Sequence, residues 1–413
     1  MTRRSSVASA RSNGSVRGLA AVPRGVWVLG LVSMCMDLSS ELVHALLPLY
    51  LATVLGASTL VIGVIEGIAE AIALIVKVFS GALSDWTRKR KPLMLMGYGI
   101  GALSKFVFPL ATTLPWFVGA RFADRFGKGI RGAPRDALIA DITPPEVRGR
   151  SFGLRQALDT VGGVGGPLLA LGAMVVFLGD FRAAFWIAVI PAVLCVILIV
   201  FGVDEPERQS IAGSPKPRLR FADAGRLPRV FWMVVAIAGV LTLARFSEAF
   251  LLLRAVDVGM TVALAPLVMV VMSLVYAVVA YPAGAALDRG HATALFGAGL
   301  LALIASDVVL AQAQGMPAVL LGAALWGLHM GLTQGLLSAL VATAAPEDLR
   351  GTAFGLFNLV SGIALLAASV LAGWLWDAHG PAVTFYAGAV FTTIAAMGLW
   401  WRRGEVAAIG RVA

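Results

Sequence analysis

Apolar runs of about 20 residues or more, long enough to cross a bilayer, recur twelve times along the chain. They cover approximately 26–55, 58–84, 92–112, 115–140, 151–178, 182–203, 230–253, 262–286, 292–313, 316–343, 352–375 and 381–401. The joints between them are short, except for DEPERQSIAGSPKPRLRFADAGRLPR after the sixth run, a Pro-rich, charged stretch with the composition of a linker. The pattern predicts an all-α membrane protein of 12 transmembrane helices. Its parts are a basic tail (1–25), a six-helix bundle (26–203), a linker (204–229), a second six-helix bundle (230–401) and a short tail (402–413). No cleavable signal peptide is visible, because the first apolar run is already of spanning length and carries Asp37 and Glu41.

The halves repeat each other. GALSD at Gly81–Asp85 recurs as GAALD at Gly284–Asp288, and PEVRGRSFGL at Pro145–Leu154 recurs as PEDLRGTAFGL at Pro346–Leu356. DALIAD at Asp136–Asp141 recurs as SALVAT at Ser338–Thr343. The three matches fall at offsets of 201–203, and parallel six-helix halves are a transporter design in which substrate binds between the halves near the midplane.

Composition narrows the classes. Of 413 residues 59% are hydrophobic and 14% charged, too apolar for soluble domains, which carry about 25% charged residues. The net charge of +10 would suggest nucleic acid in a soluble protein, but its placement gives another meaning. With the N-terminus inside, the cytoplasmic segments hold most of the Lys and Arg, while the outer loops hold only Arg182 and Arg254. That bias puts both termini in the cytoplasm and the chain in an inner (plasma) membrane, with the lipid bilayer and not nucleic acid as partner. Cys35 and Cys195 lie in apolar segments, and His44, His291, His329 and His379 are scattered, so neither a disulfide scaffold nor a metal site is expected. HExxH, GxSxG and a phosphate-binding loop are absent, so neither an enzyme nor a cofactor is expected. Met34-Cys35-Met36 with His44 raises transition-metal transport as a minor alternative, yet consecutive helix positions point about 100° apart and the sulfurs cannot converge.

GALSDWTRKRK, GGVGGP (Gly162–Pro167), DLSSELVHALLPLYL and RFADRFGKGIRGAPRDALIAD together resemble the major facilitator superfamily, over essentially the whole chain. GGVGGP is similar to a signature of that superfamily's drug–proton antiporters, although Ala170-Leu171 replaces the usual Gly-Gly. The resemblance implies alternating access between two six-helix bundles. Gating then falls to Gly81, Asp85, Arg88, Arg135, Arg148, Gly284, Asp288 and Arg350, since a carboxylate at a helix C-terminus opposes the dipole and needs cationic partners. Gly162, Gly166 and Pro167 permit close helix packing and a bend.

Charges inside the spans carry the candidate chemistry, because each costs about 2.5–3.5 kcal/mol at a helix centre. They gather in the first half, and the fourth span is the extreme. Arg121, Arg125, Lys128, Arg131 and Arg135 fall within an arc of about 120°. Such a stripe must face protein or water. Acids are placed to meet it: Asp37 and Glu41 share a face with His44, Glu66 and Glu70 share one with Lys77, Asp124 lies on the span itself, and Arg155 and Asp159 are spaced i,i+4. The substrate and proton site is therefore expected among Asp37, Glu41, Glu66, Glu70, Lys77, Asp124, Arg125, Lys128, Arg131, Asp159, Arg245, Glu248 and His329. Lys128 is expected to need a carboxylate partner, Glu41 or Glu70, or else to have its ammonium pKa lowered by desolvation, and His329 either faces Lys128 across the cavity or is a satisfied core histidine. The leading expectation is a monomeric secondary transporter exporting a small organic compound by proton antiport. Proton-coupled uptake of an organic anion is the alternative, with a receptor or scramblase as a minor one.

Overall fold

The computed structural model describes residues 22–87, 89–205, 221–346 and 349–401. Most of the basic tail, the middle of the linker, Arg88 and residues 402–413 fall outside them, as do the side chains of Asp85 and Asp288.

The first half folds into α1 (Arg24–Thr53), α2 (Thr59–Thr87), α3 (Arg90–Leu110), α4 (Leu114–Ile142), α5 (Arg148–Val176) and α6 (Phe181–Gly202). The second folds into α7 (Arg229–Ala244), α8 (Ala249–Asp257), α9 (Leu267–Asp288), α10 (Ala292–Ala311), α11 (Met316–Ala344), α12 (Arg350–His379) and α13 (Pro381–Trp401). Among the described residues thirteen α-helices serve twelve segments, because the seventh, expected to be continuous over 230–253, is broken at 245–248. Neither Gly nor Pro marks the break. Tertiary contacts hold it instead: the Ala249 N–H donates to Ser247 Oγ at 3.2 Å, and the Ser247 N–H to Ser369 Oγ at 3.3 Å. A helix that stops inside the bundle must re-satisfy its freed backbone groups in this way.

Among the described residues eleven segments are long and apolar enough to cross a membrane, with α7 and α8 counted as one. The twelfth, α4, is too charged and too polar to be one of them, yet it packs along α2 and α3 and buries Arg121, Arg125 and Arg131. Helices α1–α6 pack on one another (α1 on α5 and α6, α3 between α4 and α6), and α7–α13 form a second group around α10 and α11. The groups meet along α2–α12, α5–α9 and α1–α8.

Two features seal the end where α1 joins α2. One is aromatic: Tyr50 stacks on Phe117 at 4.5 Å between centroids, with Phe108, Phe181 and Phe185 around them. The other joins the groups. Asp377, near the end of α12, caps α2 by accepting from the backbone N–H groups of Thr59 (3.2 Å) and Leu60 (2.9 Å) and from the Thr59 hydroxyl. Beside it Gly373 lets the backbones touch, since a Cβ there would lie 2.7 Å from Leu60 Cα.

Arg254, read from the sequence as an outer-loop residue, is a buried residue of α8. It donates to the carbonyls of Leu310 (3.0 Å), Ala311 (3.3 Å) and Ala313 (2.8 Å), closing the C-terminus of α10.

Losing an acidic N-cap costs about 1 kcal/mol, roughly a fivefold shift in an open–closed ratio. Asp377→Ala should therefore raise, by about that factor, the alkylation rate of a cysteine introduced at buried Leu47 in a background without Cys35 and Cys195. An unchanged rate would mean that the cap does not hold this end shut.

Candidate functional site

Helical spacing on α1, α2, α4 and α5 turns one charged face of each toward the same interior space, so the first half presents an ionic wall. Glu66 Oε2 accepts from Arg121 Nη2 at 2.6 Å, with both side chains fully buried. Glu70 lies 3.4 Å from Arg125 and 3.7 Å from Arg121. Asp124 holds Lys105 at 2.7 Å and receives the Ser40 hydroxyl at 3.4 Å. Asp37 stands 3.7 Å from Arg131, whose guanidinium covers the Tyr98 ring at 4.9 Å. Farther along α4, Arg135 donates to Asp136 (3.0 Å) and to Ser33 (2.8 Å), and Arg155 to Asp159 (2.8 Å). Gly166 brings α5 against this wall, for a Cβ on it would lie 2.6 Å from the Cβ of Glu41. Gly162 and Pro167 are buried in the same contact face of α5.

The second half supplies a different wall. Phe246, at the helix break, packs against Phe250, Trp326 and Phe385 with centroids 5.4–5.6 Å apart. Between the walls lies a cavity of about 800 Å³, lined on the far side by Arg245, Phe246, Tyr276, Trp326 and Asn358, among others. It continues into a recess of about 380 Å³ bounded by Asp37, Glu41, His44, Lys128, Asp159 and Glu248. Its lining runs on to Gly284, Leu287 and Leu295, at the end where α2 joins α3, while the opposite end is sealed as described.

Among the expected site residues, Glu41, Glu70, Lys77, Lys128, Arg245 and Glu248 border this space together with Asp37, Arg125 and Asp159. Glu66, Asp124 and Arg131 stand behind them as buried partners. The geometry chooses between alternatives at two positions. Lys128 has no carboxylate within 4.0 Å among the described residues, because Arg125, one turn earlier, takes Glu70. His329 does not line the cavity: its Nδ1 meets the Gly299 carbonyl at 2.8 Å, and on α11 it is Met330 and Gln334 that face inward. Of the gating set, Arg148 reaches the Ala140 carbonyl at 3.4 Å, Gly284 borders the cavity mouth, Gly81 lies beside Ala133 and Arg350 opens α12. Arg88 and the side chains of Asp85 and Asp288 lie outside the described residues. At the same end Arg90 ties α3 to Asp141 at 3.3 Å and to Glu205.

Sequence reasoning missed Gln156, Thr160, Tyr276, Trp326 and Gln334 as lining residues. The available signal was weak: Gln156 and Thr160 sit one turn apart, as do Met330 and Gln334, and uncharged residues do not stand out in apolar helices.

A closed bundle of spanning helices around a polar, one-sided cavity is the architecture of a membrane transporter and not of an enzyme. The chain belongs to the Major Facilitator Superfamily, whose profile matches residues 29–364 and again 241–412. An uncharacterised MFS-type transporter of Methanocaldococcus jannaschii is 30% identical over 382 residues, spanning 91% of this chain and 94% of that one. The inner membrane transport protein YajR of Escherichia coli is 25% identical over 397 residues, spanning 90% and 81%. A crystal structure of the nucleoside transporter NupG superposes with a TM-score of 0.76 at 15% identity, over 90% of this chain and 98% of that one.

Lys105 is fully buried on Asp124. Removing one member of such a pair costs about 3–5 kcal/mol, because the other charge is stranded. Asp124→Asn should lower the unfolding temperature of the detergent-solubilised protein sharply, and Lys105→Met added to it should restore much of the loss. A double variant no more stable than the single one would show that the pair is not what holds α3 to α4.

Proposed function

We propose that this chain is a proton-coupled secondary transporter working by alternating access between two six-helix halves, and that its substrate is a small organic anion taken up together with protons. The observation that carries this is the balance of unpaired charge in the cavity. Lys77, Lys128 and Arg245 border it with no carboxylate within 4.0 Å among the described residues. Among the described residues Glu41 is the one bordering carboxylate with neither a cation nor a histidine that close. Cations left without a close partner attract an anion, and an anion and a proton bound together in a low-dielectric space stabilise each other. The two would therefore cross in the same direction.

The basic end, to which the cavity opens, is read as cytoplasmic from the positive-inside bias, so the molecule faces inward in an inner membrane. A second reading, export by proton antiport, has its own support. Glu41 packs against Gly166 of the GGVGGP segment, and an unpaired carboxylate is a group for which a proton and a neutral or cationic compound can compete.

A charged hydrogen bond contributes about 1.5–3 kcal/mol, so removing one cation that holds the substrate should cost roughly tenfold or more in uptake. In proteoliposomes with an acidic exterior, a panel of labelled organic acids should yield at least one that accumulates while the lumen acidifies. Lys128→Met and Arg245→Met should each lose that uptake by about tenfold or more. Growth of a deletion strain across toxic compounds and carbon sources decides between the readings. Hypersensitivity without any growth defect on organic acids would favour export.

A further inference from the structure

We propose that His44 is the proton-carrying residue of this transporter and that its protonation ties the two halves together at the sealed end of the cavity; this rests on the proton-coupled reading above. His44 is the outermost residue of α1 to border the cavity, and beyond it Ala45–Leu51 are all buried. Its ring has a different partner on each side. Nδ1 meets Arg121 Nη2 at 2.9 Å, with Glu66 Oε2 at 3.7 Å, both within the first half. Nε2 faces Glu248 Oε2 of the second half at 3.5 Å.

The tautomer follows from the partners. A guanidinium only donates, so Nδ1 accepts from Arg121 and the imidazole proton sits on Nε2, toward Glu248. In this state the ring is neutral and its link across the halves is a long hydrogen bond. A second proton can enter only at Nδ1, where two donors would then face each other. The ring must give up Arg121 and turn that N–H to Glu66. The imidazolium then stands between two carboxylates, one from each half, and the long hydrogen bond becomes an ion pair. The other charged groups around it come from every neighbouring element: Glu41 on α1, Glu70 on α2, Arg125 on α4 and Arg245 at the α7–α8 break. Arg121 keeps Glu66 and Glu70 as partners after losing the ring.

A proton on His44 therefore favours the state closed at this end, and its release through the open cavity loosens that closure. In the uptake direction this is the required order: proton and substrate enter, the entrance shuts behind them, and departure of the proton to the interior permits reopening.

Two measurements test the proposal. Spin labels at Leu178 and Met316, exposed positions on the two halves at the sealed end, report the opening by distance while the pH is varied from about 5 to 8, the range in which an ordinary imidazole titrates. The closed population of the reconstituted protein should rise as the pH falls. His44→Gln should abolish that pH dependence, and Glu248→Gln, a wall residue partly open to the cavity, should weaken it. Independently, the folded full-length protein labelled with 15N-histidine should show one resonance, absent in His44→Gln, that is an Nε2–H tautomer at high pH and gains a proton within the range. A pH dependence unchanged in His44→Gln, or a His44 resonance that does not titrate, would overturn the proposal. If transport still moves protons in His44→Gln with wild-type coupling, this assignment fails while the proton-coupled reading stands. If wild-type transport moves none, that reading fails and His44 is at most a pH sensor.

Discussion

The arrangement of the first half follows from one constraint: a charge taken out of water must find an opposite charge. Arg121 and Glu66 are both completely buried and 2.6 Å apart. Neither would be tolerated there alone, since the effective cost of burying an isolated ion is several kcal/mol. The same demand recurs down α4, where Arg125 draws Glu70, Asp124 draws Lys105 from α3, Arg131 draws Asp37 from α1, and Arg135 and Arg155 share Asp136 and Asp159. Helix order, rotation and depth are thereby fixed together, because a helix turned by one residue would carry its acid about 100° away from its partner. Buried ion pairs are a costly way to hold helices, and apolar residues of similar volume would do so at least as well. That these charges stand around a cavity is the physical ground for reading them as working parts.

Much of this was legible in the sequence, and the reason is periodicity. A stripe of five cations on one helix face cannot point at lipid, so its direction and its need for acids followed from α4 alone. Which acid meets which cation did not follow. Lys128 lies at the depth of Glu41 and Glu70, but depth leaves the rotation of each helix open by a fraction of a turn. Arg125 took the acid assigned to its neighbour. His329 shows the same limit: its position along α11 was near the repeat of Lys128, while its side chain turned toward Gly299 on α10. The break at 245–248 was hidden because the residues that sustain it, such as Ser369, lie on a helix more than a hundred positions away. Arg254 was misplaced for a related reason, its partners being carbonyl groups, which no sequence pattern displays.

The asymmetry between the walls fits the work that the proposed alternating access would require. Its halves have to part and rejoin repeatedly, and each buried ion pair broken in the process would strand charges at about 3–5 kcal/mol. Among the described residues the ion pairs of α4 lie within that helix or join it to other helices of the first half, so the lattice can move as a block with its pairing intact. The facing wall is built from Phe246, Tyr276, Trp326, Met269 and Met272, whose contacts are non-directional and can be lost and regained in small increments. Where the halves touch near the sealed end, Gly373 lies against the α2 backbone and the polar tie there is the Asp377 cap, which water can replace at about 1 kcal/mol. Among the described residues His44 with Glu248 links the α4 lattice to the other half. A link that is a long hydrogen bond when neutral and an ion pair when protonated puts the energy of that crossing under the control of one proton. The rest of the interface is left cheap enough to open.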